Sequence, residues 1–220
     1  MYLFQREVPA SELRPVAKAN NISDDRVDSE SWFLRRSKHV DAAEKGTASW
    51  EEFKTAFKDK HAETELAFTP TIVSTELHRA WDVSEVEVEH TGDTWTNWTL
   101  KYEHSVHKLP FPLMKRVFPV LQATAAVRGG DIGGEKHFLT MQVAVDGRDE
   151  NVEAVPNAVY GVYTSIERIS ENDKGSIEWV MGTVSDAKGV LPTWIQTLSV
   201  PSAIAKDVGM FLEWIPSQRK

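Results

Sequence analysis

The chain has 220 residues with a net charge of −8, and 41% of its residues are hydrophobic. This acidic balance argues against nucleic acid or an anionic membrane as the main partner, because both bind basic surfaces. The absence of cysteine excludes disulfides, thiolate nucleophiles and cysteine-ligated zinc. One domain over residues 1–220 is expected in the cytoplasm, since the first residues predict no signal peptide and no segment is apolar over the length of a membrane span.

The first part of the chain predicts short helices around one strand. The capping box of Ser49 and Glu52, followed by Trp50, Phe53 and Phe57 at helical spacing, is the clearest helix signal there. Residues 1–30 are interpreted as an N-terminal helix and connector, and residues 31–215 as the core of the domain. The predicted elements are a helix (9–20), a polar connector (20–30), a strand (31–39), a helix (47–60), an extended segment (64–74) and a short helix or turn (74–81).

The second part predicts strands followed by one helix. The predicted strands are a charged edge strand (85–89), a long alternating strand (94–107), a hairpin (117–127 with 137–146) and a second hairpin (160–169 with 176–186). The last helical stretch, 191–214, is expected to break or kink at Pro201, because proline lacks a backbone donor and clashes with the preceding turn. A many-stranded sheet closed by one C-terminal helix is typical of a domain that encloses an apolar ligand.

Alternation along the strands assigns side chains to faces. On the 94–107 strand the apolar face is expected to line the interior, and the odd-numbered residues from Thr99 to His107 are assigned to solvent. On the 176–186 strand, Trp179 and Met181 share a face, and on the 160–169 strand Tyr163 and Glu167 do. Walls rich in aromatic residues favour a small-molecule cavity over a filled core, which is the alternative. The apolar face of the 94–107 strand carries Trp98, Leu100, Tyr102, His104 and Val106.

Six segments of the sequence are distinctive when taken together: WFLRRSKH (32–39), GTASWEEF (46–53), RVFPV (116–120), SIER (165–168), IEWVM (177–181) and VPSAIAKDV (200–208). Together they resemble a fungal START-like family. That family belongs to the helix-grip group, with START lipid-transfer domains, the birch-pollen-allergen fold and bacterial aromatase/cyclases. The resemblance covers residues 30 to 215 and implies an α+β helix-grip fold, in which a curved antiparallel sheet wraps around a long C-terminal helix with an internal hydrophobic cavity. Some fungal members resemble proteins of polyketide pathways, which implies a cyclase role and a polyketide synthase as partner.

The candidate catalytic residues follow from the faces, since the resemblance carries no agreed catalytic motif. His104, with Tyr102 as its neighbour, is the first candidate for an acid/base group on the cavity wall, and a hydrogen-bonded core histidine is the alternative. Arg35, Arg36, Ser37 and His39 form the second cluster, in which Arg36 and His39 are the catalytic candidates, because a guanidinium can hold a carboxylate or polarise an enolate. Alternation leaves open which face of this strand turns towards the cavity, and a solvated strand with one salt bridge is the alternative. The candidate ligand contacts are Trp98, Tyr163, Glu167, Trp179, Met181, Ile204 and Phe211, with a structural ion pair as the alternative for Glu167.

Neither a metal nor a cofactor is expected. The glycine pairs at 129–130 and 133–134 lack the lysine of a phosphate loop, the seven histidines show no ligand spacing, and no serine stands in a visible triad context. The leading hypothesis is a polyketide cyclase that closes a pyrone-type or aldol ring by acid/base catalysis. The alternatives are a non-enzymatic lipid or sterol carrier and an interaction module with a filled core. A cyclase requires at least two titratable groups that converge on one point, whereas a carrier requires an apolar sleeve.

Overall fold

One ten-stranded sheet and a long C-terminal helix dominate the residues that the computed structural model describes, which are 1–128, 136–145, 154–172, 175–186 and 193–219, the side chains of 193–199 excepted. The strands are β1 (Tyr2–Val8), β2 (Glu30–Val40), β3 (Ile72–Trp81), β4 (Val88–His90), β5 (Asp93–His107), β6 (Lys115–Val127), β7 (Lys136–Ala144), β8 (Ala158–Tyr160), β9 (Val162–Asn172) and β10 (Ser176–Asp186). The helices are α1 (Ala10–Ala19), α2 (Trp50–Lys54), α3 (His61–Phe68) and α4 (Thr193–Trp214).

The strand order is β1-β2-β10-β9-β7-β6-β5-β3, with β4 added to β5 and β8 added to β6. Every neighbouring pair along this path is antiparallel, and β8 runs parallel to the start of β6. The two predicted hairpins are confirmed as the pairs β6–β7 and β9–β10. The predicted α+β arrangement of an antiparallel sheet with a C-terminal helix is therefore present.

The capping box starts helix α2 as predicted. The Ser49 hydroxyl accepts from the Glu52 amide at 3.3 Å, and the Glu52 carboxylate accepts from the Ser49 amide at 2.7 Å, which satisfies two amides at the helix start. The helix continues into a π-helical turn at Thr55–Asp59. This path brings Trp50, Phe53 and Phe57 together in an aromatic core against the sheet.

Helix α4 packs on the sheet through an apolar stripe. Ile204, Val208, Phe211 and Ile215 are buried, at the spacing of one helix face. The predicted break at Pro201 is wrong, because α4 runs from Thr193 to Trp214 with Pro201 inside it, and the kink that was the alternative stays a prediction. One lost backbone hydrogen bond and a local clash cost about 3 kcal/mol, and the buried stripe that follows Pro201 offsets that cost.

Two local predictions are wrong, and one strand was missed. Residues 74–81 belong to strand β3 instead of a short helix or turn. In the segment 64–74, which was predicted to be extended, residues 64–68 belong to helix α3. Strand β1 was not expected at all. Most side chains of β1 and β3 are exposed, so these strands show no alternation of buried residues that a sequence could reveal.

Candidate functional site

A cavity of about 290 Å³ lies between the sheet and helix α4, and it is the candidate functional site. Its walls come from α3, from the segment between α3 and β3, from six strands of the sheet, from the segment between β5 and β6, and from the middle of α4. Apolar contributions come from Ile72, Phe118, Tyr163, Met181, Val200 and Ile204. Polar contributions come from Glu65, Ser105, His107, Arg116, Gln142 and Asp207. The cavity is therefore lined by both apolar and polar side chains and is not purely apolar.

The cavity-facing side of β5 is the side that alternation assigned to solvent. Ser105 and His107 line the cavity, as do the residues paired with His107, namely Ile72 on β3 and Arg116 on β6. Because neighbours along a strand point to opposite faces, the even-numbered residues lie on the other side of the sheet. The expectation that the apolar face of this strand lines the cavity is wrong.

The catalytic candidates therefore lie outside the cavity lining. His104 contacts His78 across the sheet, with 2.6 Å between His104 Nδ1 and His78 Nε2, and the ring of Tyr102 packs on His78. Arg36 is half-exposed and forms an ion pair of 2.6 Å with Glu178. His39 contacts the Ser37 hydroxyl at 2.8 Å. Alternation shows which side chains share a face of the sheet, but it does not show which of the two faces packs against the helix. For this reason the sequence did not place these side chains correctly relative to the cavity.

The predicted ligand contacts divide into two groups. Tyr163, Met181 and Ile204 line the cavity. Trp179 and Phe211 pack in the aromatic core, with 5.9 Å between their ring centroids. The remaining two are also absent from the lining: Glu167 is buried behind it, and Trp98 donates to the Trp95 carbonyl at 3.0 Å.

A buried charged network stands behind the cavity, and its centre is Glu167. The Glu167 carboxylate accepts from the Trp179 indole at 2.6 Å and lies 3.6 Å from the Arg35 guanidinium and 3.5 Å from His61 Nε2. Arg35 also stacks over Trp179 at 3.9 Å. Burial favours the neutral carboxyl, but His61, Arg35 and the indole outweigh it and hold the pKa of Glu167 below its ordinary value.

This network reaches the cavity through helix α4 and helix α3. Arg35 donates to the Ile204 carbonyl at 2.8 Å and lies 3.9 Å from Asp207, and both of these α4 residues line the cavity. On the other side, His61 Nδ1 lies 3.5 Å from Glu65, which also lines the cavity. Two carboxyl groups of the cavity wall are thus connected to one buried network.

Burial perturbs the titration of these groups. It raises the pKa of Glu65 to about 7, against the opposing effect of His61, and raises the pKa of Asp207 to about 6, against that of Arg35. Glu65 keeps 27% of its side-chain surface accessible and lines the cavity. Burial alone would lower the pKa of His61, whereas the carboxylates of Glu65 and Glu167 raise it to about 9.

The group of His61, Glu65 and Glu167 has ligand atoms within 4.8 Å of one another and is the candidate for a metal among the residues described. The geometry favours an ion-pair network instead. His61 points Nδ1 towards Glu65 and Nε2 towards Glu167, and one ion can use only one of these nitrogens. Glu167 also lies beside the Arg35 cation and already accepts from Trp179.

The polar groups that line the cavity were missed by sequence reasoning. Ser105 and His107 lie two residues apart on β5, and the Ser105 hydroxyl is 2.9 Å from His107 Nε2. Burial lowers the pKa of His107 to about 4, so the imidazole is neutral at physiological pH. Arg116 is 1% exposed and donates to the Met114 carbonyl at 2.6 Å. The available signal was the Ser-Val-His pattern, which places both side chains on one strand face.

Within the described part of the chain, no helix combines the length and the apolar character that a membrane span requires.

Comparisons with known proteins identify the fold. The model of a family described as "Protein of unknown function (DUF3074)" matches residues 32–215. No curated protein matches the chain. Similar solved structures include human STARD10 (TM-score 0.59, 15% identity, 84% of this chain and 63% of that one), the human StarD13 (DLC2) lipid transfer and protein localization domain (0.54, 13%, 83% and 75%) and human StAR-related lipid transfer protein 5 (0.56, 12%, 86% and 76%).

At these identities the likeness concerns the fold alone. The predicted START-like helix-grip fold is confirmed. The chain spans less than two thirds of the STARD10 chain that it matches.

Proposed function

This chain belongs to the DUF3074 family, and we propose that it binds a small, partly polar hydrophobic molecule in the cavity between its sheet and helix α4. The observation that carries this proposal is the cavity itself. A space of about 290 Å³ remains open inside a domain whose neighbouring aromatic core is closely packed. Apolar walls with a few convergent polar groups are what small-molecule sites require.

The volume limits the size of the ligand. With about 30 Å³ for a water-sized group in a liquid, the cavity of about 290 Å³ holds on the order of ten non-hydrogen atoms. A single ring system or one short chain fits, whereas a lipid with two long acyl chains would have to extend outside. Two of the structurally similar proteins are named for lipid transfer, and that role supports hydrophobic-ligand binding without specifying a lipid here.

The test is ligand displacement with a cavity-filling variant. The environment-sensitive dye 1-anilinonaphthalene-8-sulfonate has a naphthalene ring that matches this volume, and its other groups would extend outside the cavity. It should bind the wild type and be displaced by small aromatic or short-chain compounds, while native mass spectrometry detects any co-purified molecule. Ala203 is exposed on α4 but lines the cavity, so Ala203→Phe adds a ring at the edge of the cavity. We expect an affinity loss of at least about tenfold, which corresponds to 1.4 kcal/mol. Ser202→Phe is the matched control, because Ser202 is exposed and does not line the cavity.

Equal displacement in Ala203→Phe and in the control would contradict binding in this cavity. Absence of any bound compound in the folded wild type would contradict the proposal as a whole and favour an interaction module.

A second candidate function is the acid/base-catalysed ring closure of a polyketide chain, with a polyketide synthase as partner. The observation that favours it is the pair of titratable carboxyls, Glu65 and Asp207, which both line the cavity and have raised pKa values. A general acid or base works best when its pKa lies near the operating pH. In this mechanism these carboxyls take the roles that sequence reasoning gave to His104, Tyr102, Arg36 and His39.

The two functions separate in one assay. A linear poly-β-keto thioester is incubated with wild type, with Glu65→Gln and without protein, and the cyclic product is quantified. Acceleration by wild type that falls about a hundredfold or more in the variant, the usual size of an acid/base contribution, supports a cyclase. Dye displacement without any acceleration supports a carrier.

A further inference from the structure

Ser105 and His107 form a hydrogen-bonded pair on the wall of the cavity. Both residues line the cavity, and 2.9 Å separates the Ser105 hydroxyl from His107 Nε2. With the imidazole proton on Nδ1, the hydroxyl donates to Nε2, which is the arrangement in which a histidine can take the proton of a nucleophile. The cavity provides the adjacent space that an acyl group would need.

We propose that Ser105 and His107 are a nucleophile and its base, and that they act on an ester or thioester of a small hydrophobic acid held in the cavity. This inference rests on the proposed function, since the acyl part of the substrate is the cavity ligand. It adds an activity, because a carrier needs no nucleophile and the acid/base ring closure described above uses the carboxyl groups instead.

The chemistry balances with water as the co-reactant. The Ser105 oxygen bonds to the acyl carbon while its proton passes to His107 Nε2, and the carbonyl oxygen becomes an oxyanion. Collapse breaks the bond to the alcohol or thiol, which leaves with the proton from His107. Water then attacks the acyl-serine, gives one proton to His107, and releases the free acid as Ser105 recovers that proton.

Arg116 supplies the positive charge for the oxyanion. It lies directly opposite His107 in the β5–β6 register, and it is buried on the cavity wall. Directly opposed residues in an antiparallel pair have Cβ atoms about 4.5–5.5 Å apart, so its side chain starts beside the reacting pair. A cation fixed in a poorly hydrated site stabilises developing negative charge more effectively than one in water.

Ser37 and His39 on β2 provide an internal comparison. They have the same two-residue spacing and nearly the same separation, 2.8 Å, between hydroxyl and Nε2. Neither residue lines the cavity, and the His39 ring packs on Phe53 and Trp179. Both strands therefore carry a hydrogen-bonded serine and histidine. Of these two pairs, the one on β5 lines the cavity and lies beside Arg116.

The expected reaction is slow. The low pKa of His107 makes the imidazole a weak base, and no carboxylate is found against His107 among the described residues.

Because the reaction is slow, covalent labelling is a more sensitive measurement than turnover. An alkyl fluorophosphonate replaces its fluoride with the serine oxygen, and the tryptic peptide Tyr102–Lys108 contains Ser105 as its one serine.

The experiment labels the full chain with this fluorophosphonate, locates the adduct by peptide mass spectrometry and measures labelling rates. We expect the adduct on Ser105, no adduct there in Ser105→Ala, and a rate about a hundredfold lower in His107→Gln, as for the loss of a general base. Ser37→Ala is the matched control and should label at the wild-type rate. Release of p-nitrophenol from p-nitrophenyl butyrate should follow the same order.

Dye displacement is measured on the same samples, so that a failure of the nucleophile–base proposal can be distinguished from a failure of the proposed ligand binding. Dye displacement without an adduct on Ser105, or an adduct whose rate is unchanged in His107→Gln, overturns the nucleophile–base pair and leaves the cavity function standing. An adduct on Ser105 in a protein that displaces no dye contradicts the cavity ligand instead. Equal loss of labelling in Ser37→Ala would also overturn the assignment to β5.

Discussion

The charged network behind the cavity predicts a stability difference that depends on pH. His61 is 1% exposed and lies between the carboxyl groups of Glu65 and Glu167, which raise its pKa from 6.5 to about 9. At about 1.36 kcal/mol per pKa unit, this rise corresponds to at most about 3 kcal/mol of folding free energy that depends on the protonated imidazole. The substitution His61→Gln removes that cation.

The sign of the effect follows from the direction of the pKa change. Because the pKa of His61 is higher in the folded state, its contribution is fully present below about pH 6.5 and disappears as the pH rises through about 9. The wild type should therefore exceed His61→Gln in unfolding free energy by about 3 kcal/mol at pH 6 and by less than about 1 kcal/mol at pH 10, where only packing differs.

Urea unfolding at several pH values between 6 and 10 measures this difference. His90→Gln is the control, because His90 is exposed on β4 and should change stability by less than about 0.5 kcal/mol at every pH. A difference for His61→Gln that is the same at pH 6 and pH 10 would refute the reasoning, since it would show that His61 carries no charge in the folded protein.

Further predictions concern the same network and the helices, each measured by urea unfolding. Arg35→Met should destabilise by about 3–5 kcal/mol, because Glu167 loses a buried partner, whereas Arg36→Met removes a half-exposed ion pair and should cost less than about 1 kcal/mol. Phe211→Ala should destabilise by about 3–5 kcal/mol, since the ring is fully buried in the aromatic core. Ser49→Ala should cost about 1 kcal/mol through loss of the helix cap.

Much of the fold was predictable because local and tertiary preferences agree. The capping box at Ser49 marks the start of α2, and the spacing of Ile204, Val208 and Phe211 marks the buried stripe of α4. The long alternating segments gave the β6–β7 and β9–β10 pairs. By contrast, β1 pairs with β2 through backbone hydrogen bonds and buries almost no side chain, so its sequence has no alternation of apolar and polar residues from which a strand could be predicted.

The site was less predictable because its interior is polar. The odd-numbered residues Glu103, Ser105 and His107 on β5 looked solvent-facing, yet Glu103 is 6% exposed and the other two line the cavity. Ion pairs between residues of different strands cannot be predicted from the pattern of a single strand. Arg35 on β2 and Glu167 on β9 lie 132 residues apart in sequence and meet only through the strand order.

The placement of charge behind the cavity bears on how a ligand would be held. A buried ion-pair network without a further role is a weak source of stability, since desolvation offsets much of the attraction. Here the Nε and Nη2 atoms of Arg35 remain without hydrogen bonds although buried, which leaves part of that desolvation uncompensated. The same guanidinium donates to the Ile204 carbonyl on the cavity wall. The network therefore contacts the part of α4 that closes the cavity, so a molecule bound there and a change in the charge of Glu65 or Asp207 would act on one connected set of contacts.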